Sequence, residues 1–175
     1  PSGIDNTLAT FGEFILYRRG KPPLIRQLHP EEPIPVVIGL TGVESLTAKM
    51  VSNVRAARAK HTKHYDKIFD QINDLALASA EAIEGNDLEQ LGEYMNINQG
   101  LLNALQVSSR EIEELIEIAR RNGAIGAKLT GGGGGGAIIA LCPDNPERVA
   151  YAIRKSGYEA IVTEISSNKS DGIML

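Results

Sequence analysis

Residues 128–142 read Lys128-Leu129-Thr130, then six consecutive glycines (Gly131, Gly132, Gly133, Gly134, Gly135, Gly136), then Ala137-Ile138-Ile139-Ala140-Leu141-Cys142. The apolar run after the glycines has the length of a single buried strand. Downstream, Pro143 to Pro146 makes a turn, residues 147–156 carry a helical pattern, and Tyr158 to Ile165 reads as a strand. Upstream, Val36-Val37-Ile38-Gly39-Leu40 is another short apolar run of buried-strand type. The order strand, helices, strand, helix, strand predicts an α+β fold in two layers, helices packed on a small sheet.

Four helices in series fill the space between those first two strands. Residues 44–60 place Leu46, Met50, Val54 and Ala57 at helical spacing, and residues 64–84 carry Tyr65, Ile68, Phe69, Ile72, Leu75 and Ile83 on one face. Asn86 with Glu89, and Ser108 with Glu111, have the spacing of capping boxes for the next two helices, and Gly123 is placed to stop the second. Before all of this, residues 7–28 suit a β-hairpin turning at Gly20-Lys21-Pro22-Pro23. The segment HPEEPIP (29–35) has three prolines and reads as a boundary, which divides the chain into residues 1–33 and 34–175.

The glycine run has two readings. As composition it is a flexible linker. In place, it joins a helix expected to end near Lys128 to a buried strand within one compact unit, where six glycines are costly to order unless the backbone must come close to something. A loop without Cβ atoms lets several N–H groups converge, which is what phosphate oxygens require. The dinucleotide fingerprint needs a strand before its loop and a helix after it, and a Walker loop needs its Lys after the glycines; neither order is present here.

Composition sets outer limits. The chain has 175 residues, 42% hydrophobic and 23% charged, enough for a core and unlike a disordered chain. With 18 Lys+Arg against 22 Asp+Glu, nothing points to an electrostatic nucleic-acid binder, and no apolar run approaches the ~20 residues of a membrane span. The single cysteine, Cys142, excludes an internal disulfide framework or a cysteine-rich metal site, and with no secretory signal a cytoplasmic setting is the default. His61 and His64 are three apart near a helix but lack a carboxylate or Cys partner at motif spacing, so no metal ligand is assigned. The chain opens on Pro1, inside a motif and without Met, and is expected to be part of something longer.

Four stretches together carry a resemblance. Lys128 to Gly136 resembles the third, glycine-rich motif of the GHMP kinase superfamily, K-x-T-G-A-G-G-G-G-C. Pro1-Ser2-Gly3-Ile4-Asp5-Asn6 is similar to the P-S-G-x-D-N segment of mevalonate kinases within that superfamily. Thr41-Gly42-Val43, with Thr47 and Asn53-Val54-Arg55, resembles their T-G-x-x-x-x-T-x-x-x-V-x-x-V-R stretch. Met95-Asn96-Ile97-Asn98-Gln99-Gly100-Leu101-Leu102 is close to an M-N-x-N-Q-x-L-L helix of archaeal-type members. Gly132 stands where the family usually has Ala, and Ala137 where it usually has Cys.

The resemblance implies a GHMP-kinase C-terminal domain, helices on a small antiparallel sheet of ferredoxin-like type, preceded by a β-hairpin left from the N-terminal domain. It implies an ATP-dependent kinase acting on the primary hydroxyl of (R)-mevalonate, giving 5-phosphomevalonate in isoprenoid precursor synthesis. Asp5 takes the catalytic role, although Ser2-x-x-Asp5 is also a capping pattern; Gly131 to Gly136, Thr130 and Lys128 face the nucleotide; Ser2 and Thr47 lie on the substrate side. For Thr47 and Lys128 the alternatives are a helix-start hydroxyl, shared with Ser45, and a helix end. Mg²⁺ is expected with its ligands in an N-terminal half, without which this chain is expected to be inactive. That half and a second copy of the chain, as a homodimer, are the implied macromolecular partners. Phosphomevalonate or homoserine kinase, or a non-catalytic ligand-binding or dimerisation module, stand as alternatives.

Overall fold

The computed structural model describes residues 14–44 and 47–166. Asp5, Ser2 and Ser45 lie outside the described residues. The first element is a hairpin of β1 (Phe14–Arg18) and β2 (Leu24–Leu28), paired antiparallel from Phe14↔Leu28 to Arg18↔Leu24. Then come β3 (Ile34–Leu40), α1 (Thr47–Lys60), α2 (Thr62–Glu84), α3 (Leu88–Ala104), α4 (Arg110–Arg121), β4 (Gly126–Thr130), β5 (Ala137–Leu141), α5 (Pro146–Lys155) and β6 (Glu159–Ile165).

Strands β3 to β6 form one sheet in the order β4-β5-β3-β6, every neighbouring pair antiparallel. Counting β3 as the first of the four, the order is the 4-1-3-2 arrangement of a β-α-β-β-α-β ferredoxin-like unit, with three extra helices ahead of the first crossover helix. One sheet face shows Val37, Ala127, Leu129, Ile138 and Ala140 to α4 and α5. Helix α4 meets it with Ile112, Leu115, Ile116 and Ala119, spaced i, i+3, i+4, i+7 and none more than 2% exposed. Burying each Ile or Leu of that stripe contributes about 1.5–3 kcal/mol. Ser109 starts the helix by accepting the Ile112 N–H, Glu111 and Glu113 lie in its first turn, and Arg120 and Arg121 in its last, as the helix dipole favours. Helix α5 adds Val149, Ala150 and Ile153 behind an Asn145 cap and Pro146 in the first turn. The opposite face carries a smaller cluster of Ile34, Val36 and Leu141 with Ala82 of α2 and Leu91 of α3.

Several local expectations are corrected. No helix ends near Lys128: residues 126–130 are strand β4, and the six glycines connect two antiparallel strands. The sequence Gly126-Ala127-Lys128-Leu129-Thr130 has little β-branching, so nothing local announced it. The cap of α3 is Asp87, which accepts from the Gln90 N–H at 3.0 Å, while Asn86 takes a left-handed turn conformation (φ 53°). The cap of α4 is Ser109 rather than Ser108. Strand β3 begins at Ile34, inside the proline-rich segment.

Candidate functional site

The glycine run is the tip of the β4–β5 hairpin, bounded by the cross-strand pair Thr130↔Ala137. Five of its six residues have positive φ, between +73° and +142°, a region L side chains rarely occupy. Gly132 is the exception, and it is the position where the resembled motif has Ala. The departure therefore falls where a side chain is conformationally admissible.

Three segments hold the loop from behind. At its C-terminal end the Gly136 carbonyl accepts from both the backbone N–H and the Oγ1 of Thr41, each at 2.9 Å. The Gly136 N–H in turn donates to the Val43 carbonyl at 2.9 Å, and the Val43 N–H donates to Thr41 Oγ1 at 3.1 Å. Thr41 is buried to 6% exposure, so its hydroxyl belongs to this junction. In mid-loop, Gly134 N–H donates to the Val107 carbonyl at 2.7 Å, from the turn between α3 and α4. Along the flank, Thr47 and Met50 of α1 stand against Gly132 and Gly134. The structure thus brings Thr47 and the glycines together, and it spends the amides of Gly134 and Gly136 on internal bonds. Thr130 is exposed at the loop's entry.

Lys128 goes elsewhere. Its amine donates to the Leu129 carbonyl at 2.7 Å and lines an apolar groove of about 270 Å³ with Ile34, Val36, Ile139 and Asn98. Desolvation there lowers its pKa. Asn98 Oδ1 is buried in the same region and accepts no hydrogen bond from the described residues. His61 and His64 sit at the exposed α1–α2 junction. Among the described residues no group of three or more His, Cys, Asp or Glu side chains could hold a metal ion.

Two polar residues of α3 complete the support of β4, one of the two edge strands of the sheet. Asn96 donates to the Ile125 carbonyl at 2.9 Å and accepts from the Ala127 N–H at 3.1 Å, while Gln99 accepts from the Leu129 N–H at 2.9 Å. Gln99 also donates to Ser108 Oγ at 3.0 Å and to Glu113 Oε1 at 2.9 Å, and Asn103 donates to the same Glu113 oxygen at 2.8 Å. Desolvation pushes the Glu113 pKa up, but hydrogen bonds from Ser108, Asn103 and Gln99, with the charge of Arg120, outweigh it and the pKa is lowered. The resembled motifs contain Thr41, Asn96 and Gln99, but sequence reasoning identified neither these residues nor Val107 as supports. The signal available for Asn96 and Gln99 was their i, i+3 spacing, which puts both on one helix face.

Comparison with known proteins gives a consistent set of likenesses. Residues 79–159 match the family model described as GHMP kinases C terminal. The chain is 40% identical over 173 residues to a mevalonate kinase of Thermococcus gammatolerans, covering 94% of this chain and 50% of that protein. It is 36% identical over 168 residues to a mevalonate kinase of Aeropyrum pernix, covering 95% of this chain and 51% of that one. Among solved structures, the mevalonate kinase of L. major in complex with R-mevalonate superposes with a TM-score of 0.90 at 29% identity, over 96% of this chain and 53% of that chain. A Streptococcus pneumoniae phosphomevalonate kinase shares the fold, with a TM-score of 0.81 at 18% identity over 94% of this chain and 56% of that one. The chain spans about half the length of the curated relatives it matches.

Proposed function

We propose that this chain, whose residues 79–159 belong to the GHMP kinase C-terminal family, supplies the phosphate-holding loop of an ATP-dependent kinase that phosphorylates the primary hydroxyl of (R)-mevalonate. The observation that carries the reading is the glycine hairpin tip, positive in φ at five of its six residues and pinned from behind at Gly134 and Gly136. With those two amides engaged, the N–H groups assigned to ATP phosphates are those of Gly131, Gly132 and Gly135, beside the exposed Thr130. Backbone dipoles fixed in advance stabilise charge as it develops on a transferring phosphoryl group without reorganising. The names of the relatives support mevalonate as the acceptor.

In this reading Asp5 accepts the proton of the substrate hydroxyl, whose oxygen attacks the γ-phosphorus as ADP departs; Thr47 and Ser2 contribute on the substrate side. Thr47 stands directly against Gly132, which supports placing acceptor and phosphate on the two sides of that contact. Lys128 is read as satisfying β4 and its groove, since its amine bonds the Leu129 carbonyl. Bound Mg²⁺ neutralises phosphate charge in such chemistry. The loop offers N–H donors, which suit anions, so the metal's ligands are assigned to the N-terminal half. That half and a second copy of the chain are the partners this reading expects.

The test joins this chain to the N-terminal half of an archaeal relative and follows ADP release with ATP and (R)-mevalonate. Mevalonate-dependent release, lost in Asp5→Asn, is the expected result, with no turnover by the unjoined chain. A folded hybrid without mevalonate-dependent release, or one in which Asp5→Asn turns over normally, overturns the reading.

A further inference from the structure

The glycine loop is held at a distance by a polarised side chain. On α3, Gly92, Asn96, Gln99 and Asn103 recur at i, i+4, i+7 and i+11, one stripe along the helix. The stripe lies against β4, and it lies close: a methyl group on Gly126 would stand 2.6 Å from the Gly92 Cα. From Asn96 to Gln99 the helix rises about 4.5 Å, whereas from Ala127 to Leu129 the strand rises about 6.6 Å. The extra methylene of Gln over Asn suits that longer step along the strand.

Gln99 has only one workable orientation. A carboxylate accepts and cannot donate, so Glu113 requires the Gln99 amide to present its NH₂ group, leaving Oε1 for the Leu129 N–H. Flipping the amide would set Oε1 against the Glu113 carboxylate and NH₂ against an N–H, two repulsive contacts in a side chain only 3% exposed. Asn103 and Ser108 donate to the same carboxylate and hold it in turn. Leu129 is two residues before Gly131. The turn that supplies Ser108 also supplies Val107, whose carbonyl takes the Gly134 N–H. One continuous segment, residues 96–113, therefore grips the hairpin both at its strand and at its tip.

We propose that Gln99, oriented by Glu113, is a positioning residue for the glycine loop, setting the loop's amides relative to a bound phosphate. The inference rests on the phosphate-holding reading of that loop. It predicts a specific pattern. Gln99→Met keeps the volume and removes the bonds; Gln99→Glu sets two carboxylates together; the exchanged pair Gln99→Glu with Glu113→Gln restores acceptor to Leu129 and donor to acceptor across the contact.

The first readout is amide hydrogen exchange and ¹H–¹⁵N shifts of this chain without any nucleotide. Gln99→Met and Gln99→Glu should speed exchange at Leu129 and Gly134 by about tenfold or more, the size set by one buried hydrogen bond, with shifts beyond the substituted helix confined to residues 107–113 and 129–136. The exchanged pair should return both toward the parent, which also serves if a single variant does not fold. Unchanged loop amides, exchange raised evenly through α5 and β6, or no recovery in the exchanged pair would overturn the inference. The second readout is the joined kinase. A fall in kcat larger than the change in KM for ATP, recovered in the exchanged pair, supports it. Displaced loop amides with unaltered kcat and KM would overturn the phosphate reading beneath it.

Discussion

Gly133 and Val107 meet so closely that a methyl group on Gly133 would stand 2.2 Å from the Val107 carbonyl oxygen. Gly133 also has a φ of +75°, so alanine there faces a steric wall and an unfavourable backbone conformation together. The conformation alone costs roughly 1–2 kcal/mol, and the collision is with backbone, which cannot rotate away. Gly133→Ala is expected to lower Tm by about 4 °C or more and to abolish mevalonate-dependent ADP release in the joined kinase. Calorimetry and the coupled assay check the two parts separately.

Gly132 gives a different expectation. Its φ is not in the left-handed region, but a methyl group there would lie 2.6 Å from Thr47 Cγ2 and 2.7 Å from Thr47 Oγ1. Gly132→Ala should be destabilising alone and much less so with Thr47→Ala. A double-mutant cycle by denaturant unfolding should return a coupling of about 0.5–3 kcal/mol, as for residues in contact. A coupling near zero would mean that the two residues do not meet.

Gly126→Ala tests the approach of α3 to β4. The new methyl group would meet the backbone of Gly92 at 2.6 Å, so helix and strand must separate. Overpacking of this kind costs about 1–3 kcal/mol. Because the gap also stretches the Asn96 and Gln99 contacts, faster amide exchange at Ala127 and Leu129 should accompany the loss of stability.

Cys142 carries a pH prediction. Burial raises its thiol pKa to about 11, above the 9.0 of an exposed thiol. Between those values the folded chain holds the proton that the unfolded chain has lost, so stability is retained below about pH 9 and falls as pH rises toward 11. At pH 8 a thiol-reactive probe should label Cys142 only after unfolding; rapid labelling of the native chain would contradict the burial.

Much of this was legible in sequence, and what was not has physical causes. The periodic stripe of α2, the apolar runs of β3 and β5 and the hairpin at Gly20-Lys21-Pro22-Pro23 are strong local patterns, and the structure has them. Strand β4 has no such pattern, being short and poor in β-branched residues, and the partners of its outer N–H groups, Asn96 and Gln99, stand some thirty residues earlier. Missing β4 also misplaced Lys128, assigned to a helix end when it lies on a strand facing a groove. The caps slipped by one residue where two candidates stand side by side, Asn86-Asp87 and Ser108-Ser109, because spacing cannot choose between adjacent side chains. The glycines stand out in the sequence, but their close packing against Thr47, Val107 and Val43 is a tertiary property that composition does not contain.

The amide stripe on α3 has one more consequence. An outermost strand with open N–H and C=O groups is a template on which another chain can add a strand and begin a fibril. Strand β4 presents the Ala127 and Leu129 N–H groups and the Leu129 carbonyl already occupied, by Asn96, Gln99 and the Lys128 amine. The same few side chains that place the loop therefore keep this border of the sheet from recruiting its neighbours. Variants that loosen the loop through Asn96 or Gln99 should be recognisable first by their tendency to aggregate.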